Sequence, residues 1–355
     1  MSKKVGIILV NYKDYALKYL SACRDALLAQ TYSADFMTVF IVDNASSEES
    51  RIYLANNYPQ AQVLPRLDGN YAAANNLGIK TALESGCEYL VMVNMDTEMA
   101  PSWLEELVKA LELNPRAGIA QSKILLYPKN EAERRQPRIN SLGNIIHFLG
   151  FGFTDAYGQP DRKIAGFPEI KGYASGCSFI MRREVLDKIG GYNEEFYMYH
   201  DDLELSLKAK MAGYQIILAP RSVIFHKYEF QRSTKMIYYM ERNRYLTVLS
   251  FYSNRLLLLI SPLALIMDIG MFFFSLLNGW FRSELKIYAY FLRPSTYRKI
   301  DQERQRLKKL TVVKFSQIAQ NFSGRIIFQE INNPILRWIV NPLLNMHWRL
   351  IKIFI

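Results

Sequence analysis

Cysteine is scarce in this chain, with only Cys23, Cys87 and Cys177 among 355 residues. So small, odd and scattered a set excludes a disulfide scaffold and a zinc ribbon, and it points to a reducing, cytoplasmic setting. A long apolar stretch is also lacking near the N-terminus. Residues 5–10 supply six apolar or small side chains before Asn11, Tyr12 and Lys13. That is shorter than the apolar core of a signal peptide, so secretion is not expected. Internal repeats and low-complexity tracts are missing, and half of the chain is hydrophobic. Disorder, collagen and coiled coil are thereby excluded, and the length suggests about two domains.

Acidic residues are depleted in one part of the chain only. Residues 1–235 carry 27 Lys and Arg against 27 Asp and Glu, whereas residues 236–355 carry 17 against 6, so the whole net charge of +11 lies in the last third. A balanced first part without a recognisable nucleic-acid module argues against a nucleic-acid-binding protein. Two regions are expected, 1–235 and 236–355.

The first region alternates short β-rich runs, at 5–10, 37–42, 62–64, 88–93 and 118–127, with helical patterns at 14–30, 48–57, 72–85 and 101–113. This rhythm predicts an α/β fold with a mostly parallel sheet flanked by helices. Pro101, after Thr97, Glu98 and Met99, suits a first helical turn. From 128 to 172 the pattern gives way to charge, glycine and proline, a loop-rich excursion of the kind that shapes binding sites. A strand at 178–181, a helix at 202–212 and a strand at 214–218 follow.

The second region opens with a helix at 236–250 and contains a 26-residue apolar run, 256–281, whose single ionisable group is Asp268. Its length suffices to cross a bilayer. A single span, however, would put 282–314, with ten Lys and Arg against three acids, on the far side from a cytoplasmic first region, against the positive-inside tendency. Pro262, Asp268 and Gly270 also interrupt the run. A re-entrant hairpin or in-plane helices held by anionic headgroups is therefore expected, with a buried pair of core helices as the alternative.

Three motifs carry candidate chemistry. Val42-Asp43-Asn44-Ala45-Ser46 ends a strand with a carboxylate, at the sheet edge where open α/β folds bind ligands, although Asp43 and Ser46 could equally cap the next helix. Asn94-Met95-Asp96-Thr97 ends another strand with a carboxylate between an amide and a hydroxyl. Magnesium needs only one or two protein carboxylates when phosphate and water complete its shell, while a turn-forming Asn-x-Asp is the structural alternative. The run from Glu194 through Tyr197, Met198, Tyr199 and His200 to Asp201 and Asp202 leads aromatics into two acids at a helix start. One of these acids could act as a general base, or either could simply cap the helix.

The order and spacing of these pieces resemble the family 2 inverting glycosyltransferases of GT-A fold, in particular the bacterial rhamnosyltransferase-like branch. The resemblance covers roughly residues 4–245. It rests on Ile8-Leu9-Val10-Asn11-Tyr12, the Asp43 turn, Asn75-Asn76-Leu77-Gly78-Ile79, Asn94-Met95-Asp96-Thr97, Ser175-Gly176-Cys177, Gly190-Gly191-Tyr192-Asn193-Glu194 and the Asp201-Asp202 acids. The resemblance implies a nucleotide-sugar donor near Asn11, Asp43 and Asn75. It also implies a Mg2+ or Mn2+ and diphosphate site at Asn94 and Asp96, with His226 as a further ligand, and Asp202, beside Asp201, as the general base. Asp201 stands where the family usually has Glu, Glu204 where Asp is frequent, and Asn193 where Asp is familiar. Asp68-Gly69-Asn70-Tyr71 departs from the usual Asn-x-Gly-Phe.

These implications lead to the expectation of a metal-dependent enzyme in cell-surface glycan synthesis. It would sit as a peripheral or monotopic protein on the cytoplasmic face of the membrane and move a sugar, rhamnose first, to a lipid-linked or polysaccharide acceptor. Inversion is expected because no second nucleophile is evident. The rival is a non-catalytic carbohydrate- or lipid-binding scaffold on the same fold, against which the retention of both Asp96 and Asp202 argues.

Overall fold

The β-rich runs become strands because they are apolar and flanked by helices that cover both faces. The computed structural model describes residues 3–227, 234–327 and 334–355. Its strands are β1 (Val5–Tyr12), β2 (Met37–Asn44), β3 (Gln62–Arg66), β4 (Tyr89–Val93), β5 (Thr97–Met99), β6 (Ala117–Leu126), β7 (Ile139–Ser141), β8 (Asn144–Ile146), β9 (Gly152–Thr154), β10 (Ser178–Arg182) and β11 (Gln215–His226). One sheet runs β3-β2-β1-β4-β10-β6-β11-β5, with β7 added beside β6, and β8 and β9 form a separate hairpin. Strands β1 to β4 are parallel, as are β6 and β11, and β10 runs antiparallel between β4 and β6.

This order brings the carboxyl ends of β1, β2, β4 and β11 and the start of β10 to one edge of the sheet. The helices Tyr15–Leu28 and Trp103–Leu113 cover one face, and Tyr71–Glu84, Arg183–Ile189 and Asp201–Met211 the other. The helix expected from Pro101 begins instead at Trp103, because Thr97–Met99 pairs antiparallel with Ile224–His226 as an edge strand. Strand β11 outruns its expected end at 218. Its register shifts between Ala219 and Val223, where Pro220 cannot donate to the ladder, and then it resumes to His226.

Helix Asp201–Met211 is buried on all sides. Leu205 and Ala209 pack toward the sheet, whereas Leu203, Leu207 and Met211 join Phe148, Phe251, Leu256, Phe315, Phe322 and Trp348 in a second core. Burying each large apolar side chain contributes about 1.5–3 kcal/mol. The C-terminal helical region thus completes the packing around the helix that bears the acid pair.

Residues 254–277 form one continuous helix, not a hairpin. Pro262 leaves the Leu258 carbonyl without its helical N–H, and the Ser261 hydroxyl donates to that carbonyl instead, at 2.8 Å. Asp268 is accommodated because Tyr245 Oη donates to it at 2.6 Å and Arg244 at 3.2 Å. Leu256, Ile260 and Ser275 are buried along one face, while Leu258, Leu265, Ile266, Ile269 and Phe273 are exposed along the other. Among the described residues this is the one helix long and apolar enough to cross a membrane. Its body-facing side is buried only at Leu256, Ile260 and Ser275 and is partly exposed between them.

Gly78 marks where helix Tyr71–Glu84 crosses β1, since a Cβ there would lie 2.6 Å from Ile8 Cγ2. Overpacking costs about 1–3 kcal/mol, more than the roughly 1 kcal/mol alanine gains over glycine in a helix. Gly78→Ala should therefore lower Tm in a thermal unfolding scan.

Candidate active site

Three groups of the expected residues gather at the common sheet edge. At the ends of β1 and β2, Asn11 Nδ2 donates to Asp43 Oδ1 at 2.8 Å, and Arg51 Nε donates to Asp43 Oδ2 at 3.0 Å. Asn11 and Asp43 are both buried. The cap of the following helix is Ser47, whose hydroxyl accepts from Ser50 N, rather than Asp43 or Ser46. Asn75, also buried, donates to the Tyr71 carbonyl within its own helix.

The second group lies where the turn after β4 leads into β5, the edge strand paired with β11. Pairing of Thr97 with His226 places Asp96 beside the imidazole, with Oδ2 3.4 Å from His226 Nε2. The other ring nitrogen lies 3.0 Å from Asn140 Oδ1. Asn140, on β7 within the excursion, was not singled out from the sequence. Burial alone would disfavour the imidazolium, but the Cys177 sulfur and the Asp96 carboxylate outweigh it and push the His226 pKa up to about 10. Asp96 Oδ1 is buried and accepts no hydrogen bond among the described residues. An orphaned carboxylate oxygen beside an imidazole fits a divalent cation, whose binding would displace the proton. No group of three or more His, Cys, Asp or Glu placed to hold a metal ion occurs among the described residues, so phosphate and water oxygens would have to complete the shell.

The third group is the acid pair at the first turn of helix Asp201–Met211, where the helix dipole favours negative charge. Asp202 is partly exposed and accepts from Gly176 N at 2.9 Å and Leu203 N at 2.8 Å, while Asp201 is buried. Burial raises the pKa of both acids, and the Asp202 charge raises that of Asp201 further. Tyr71 lies within electrostatic reach of both and donates to Asn94 Oδ1 at 3.1 Å.

Ser175-Gly176-Cys177 links the second and third groups. Gly176 N–H holds Asp202, the Cys177 thiol hydrogen-bonds His226, and the Cys177 carbonyl accepts from Asn94 N at 3.0 Å. This loop precedes the inserted antiparallel strand β10, so its position follows from the topology.

The segment leading into the acids is strained. Tyr197, Tyr199 and His200 have φ of 63°, 65° and 58°, each costing about 1–3 kcal/mol for a bulky side chain. Tyr197 centres a γ-turn closed by Met198 N to Phe196 O at 2.7 Å. Burial drives the His200 pKa down to about 4, and the neutral ring lies with Nε2 3.1 Å from the Gly150 carbonyl.

The model for glycosyl transferase family 2 matches residues 6–190. The chain belongs to this family. It is 31% identical over 238 residues to the O-antigen biosynthesis protein RfbC of Myxococcus xanthus, covering 63% of this chain and 17% of that protein. Identity is 25% over 206 residues to the N-acetylglucosaminyl-diphospho-decaprenol L-rhamnosyltransferase of Mycobacterium tuberculosis (strain CDC 1551 / Oshkosh), covering 54% of this chain and 66% of the relative. The chain thus spans less than two thirds of the length of either relative. Among solved structures, GalNAc-T7 with UDP, GalNAc and Mn2+ superposes with a TM-score of 0.56 at 15% identity, over 71% of this chain and 49% of that one. The sheet and its flanking helices form the GT-A-like fold of the family, followed here by the C-terminal helical region.

An acid held proton-bound by burial makes the folded state bind more protons than the unfolded chain, so stability falls as pH rises from the ordinary carboxyl range through the raised one. Asp201→Asn removes that dependence. The variant should gain Tm relative to the unsubstituted protein at pH 8, and the gain should shrink toward pH 4 in parallel thermal scans.

Proposed function

We propose that the protein is a metal-dependent, inverting glycosyltransferase that moves a sugar from a nucleoside diphosphate to the hydroxyl of a lipid-linked or polysaccharide acceptor in glycan synthesis. Supporting this reading above all is the Ser175-Gly176-Cys177 link between Asp202 and the Asp96–His226 pair. It sets a candidate base and a candidate diphosphate site side by side. Family membership supports the reaction class. The rhamnosyltransferase relative supports rhamnose as the first sugar to test, and the family resemblance alone makes thymidine diphosphate the first nucleotide.

In the proposed reaction, Asn11, Asp43 and Asn75 shape the nucleotide side, with Asn94 nearer the diphosphate. Asp96 and His226 would hold Mg2+ or Mn2+, which offsets the charge that grows on the departing diphosphate. Asp202 takes the proton of the acceptor hydroxyl as its oxygen attacks the anomeric carbon. The bond from that carbon to the diphosphate oxygen breaks, and its electron pair leaves with the nucleoside diphosphate. One in-line displacement inverts the anomeric centre. Desolvation raises the basicity of Asp202, which suits it to this task near neutral pH, and the Gly176 and Leu203 N–H groups keep its oxygens oriented.

The membrane-facing element is the outward apolar stripe of helix Asn254–Leu277, extended by the C-terminal helix Asn341–Ile351 beside it. His347 Nε2 lies 3.2 Å from the Leu259 carbonyl, and Leu343, Met346 and Leu350 are exposed. Because Asp268 on the opposite face of the first helix is paired with Arg244 and Tyr245, and Leu256, Ile260 and Ser275 near its two ends are buried, we read both helices as lying in the plane of the cytoplasmic leaflet. Basic residues of 282–314 would meet anionic headgroups.

Two experiments test the proposal. Asp202→Asn keeps an acceptor for only one of the two backbone N–H groups, which donate to different carboxylate oxygens, and it cannot accept the proton. It should lower turnover about a hundred- to ten-thousandfold while leaving nucleoside diphosphate binding nearly unchanged; near-normal turnover would remove Asp202 from the role. In flotation with phosphatidylglycerol vesicles, the full chain should rise with the lipid. Leu265→Asp combined with Phe273→Asp, at positions 61% and 58% exposed, should stay with the soluble fraction at unchanged Tm. Equal flotation would exclude this face.

A further inference from the structure

We propose that Asn243, assisted by Arg242, is a positioning residue for the acid pair, so that the C-terminal region contributes to the active site and not to membrane contact alone. The proposal rests on the reading of Asp202 as the base and adds a residue outside 6–190, the part matched by the family model.

Every carbonyl from Glu195 to Tyr199 is occupied. Asn243 Nδ2 lies 2.8 Å from the carbonyl oxygens of Phe196, Met198 and Tyr199, so its two hydrogens are shared among three acceptors. Arg242 donates to the Glu195 and Phe196 carbonyls. Tyr197 O accepts from Tyr71 N at 2.8 Å and Ala72 N at 3.1 Å, capping helix Tyr71–Glu84. Left-handed backbone at three bulky residues persists only where the surroundings over-determine it, and the amide of Asn243 is the group that touches most of this segment. Asn243 is fully buried on helix Thr234–Phe251. Arg242 is held in turn by the ring faces of Tyr239 and Tyr290, with its guanidinium carbon 4.8 and 5.2 Å from their centroids.

The geometry gives the cradle a chemical consequence. His200 is the residue immediately before the acids, so the φ and ψ of 197–200 set where Asp201 and Asp202 enter the helix and where the Asp202 carboxylate points. A displacement of about 1 Å at a reacting group costs roughly a hundredfold in rate. Releasing the three carbonyls lets the segment relax toward ordinary backbone angles; of the groups assigned to donor and metal, Asn11 and Asp43 are held by each other and by Arg51, Asp96 lies against His226, and the helix bearing Asn75 keeps its own Asn70 cap.

The test uses the full chain, following nucleoside diphosphate release from whichever nucleotide sugar the unsubstituted protein turns over. Binding of thymidine diphosphate with Mn2+ is measured by calorimetry, and Tm by thermal scan. Asn243→Ala should lower kcat about ten- to a hundredfold, with thymidine diphosphate affinity within about threefold of the original. Asn243→Asp preserves shape but removes the donor when ionised and restores one O–H when protonated. Its kcat relative to the unsubstituted protein should therefore rise as pH falls from 8 to 6. A kcat for Asn243→Ala within twofold of the original overturns the proposal. So does a flat pH ratio for Asn243→Asp, which decides the matter if Asn243→Ala fails to fold. Activity surviving in Asp202→Asn would refute the base assignment alone, because the Asn243 effect on kcat is read independently of it.

Discussion

The site depends on holding two adjacent carboxyl groups at a helix start inside the protein, against the desolvation that opposes their charge. Three features oppose that cost. The helix dipole favours charge at the first turn, the Gly176 and Leu203 N–H groups bind the Asp202 oxygens, and partial exposure of Asp202 toward the sheet edge leaves it in contact with solvent. Asp201, buried and beside it, bears the larger penalty. The pair therefore has unequal environments, which is the condition under which neighbouring acids take different protonation states. The position of Ser175-Gly176-Cys177, set by the antiparallel insertion of β10, is what ties this pair to Asp96 and His226.

The same constraint explains the reach of the C-terminal region. Helix Thr234–Phe251 turns consecutive residues in opposite directions. Arg242 and Asn243 grip the segment before the acids, while Arg244 and Tyr245 bind Asp268 on the apolar helix. A single acid within an otherwise apolar run is thus an internal ion-pair partner, and it fixes which face of Asn254–Leu277 meets the protein. The exposed apolar face is what remains after that pairing.

Much of this was legible in the sequence. Helix Glu48–Asn57 and the parallel strands β1, β2 and β4 follow from periodicity, the strand-edge acids Asp43 and Asp96 stand where apolar runs stop, and Asp202 stands at a helix start. Thr97–Met99 was missed as a strand because three residues carry no periodic signal, and its partner lies more than a hundred positions away on β11. Asn140 sits in a segment without regular pattern and acquires meaning only through the His226 ring. Asn243 was hidden for a different reason. A buried asparagine in a helix looks unremarkable in one dimension, and its role comes from three carbonyls that strained backbone turns toward it. The apolar run 256–281 announced itself by composition, yet its continuity through Pro262 required the Ser261 hydroxyl.

The proposed reaction is a single in-line displacement at an anomeric carbon, with Asp202 taking the proton of the acceptor hydroxyl. Proton NMR of the first product formed from a nucleotide sugar of defined anomeric configuration, read through the anomeric coupling, tests it directly. A product of inverted configuration is expected from the earliest time point. Retained configuration would contradict it, because a single in-line displacement cannot leave the anomeric centre unchanged.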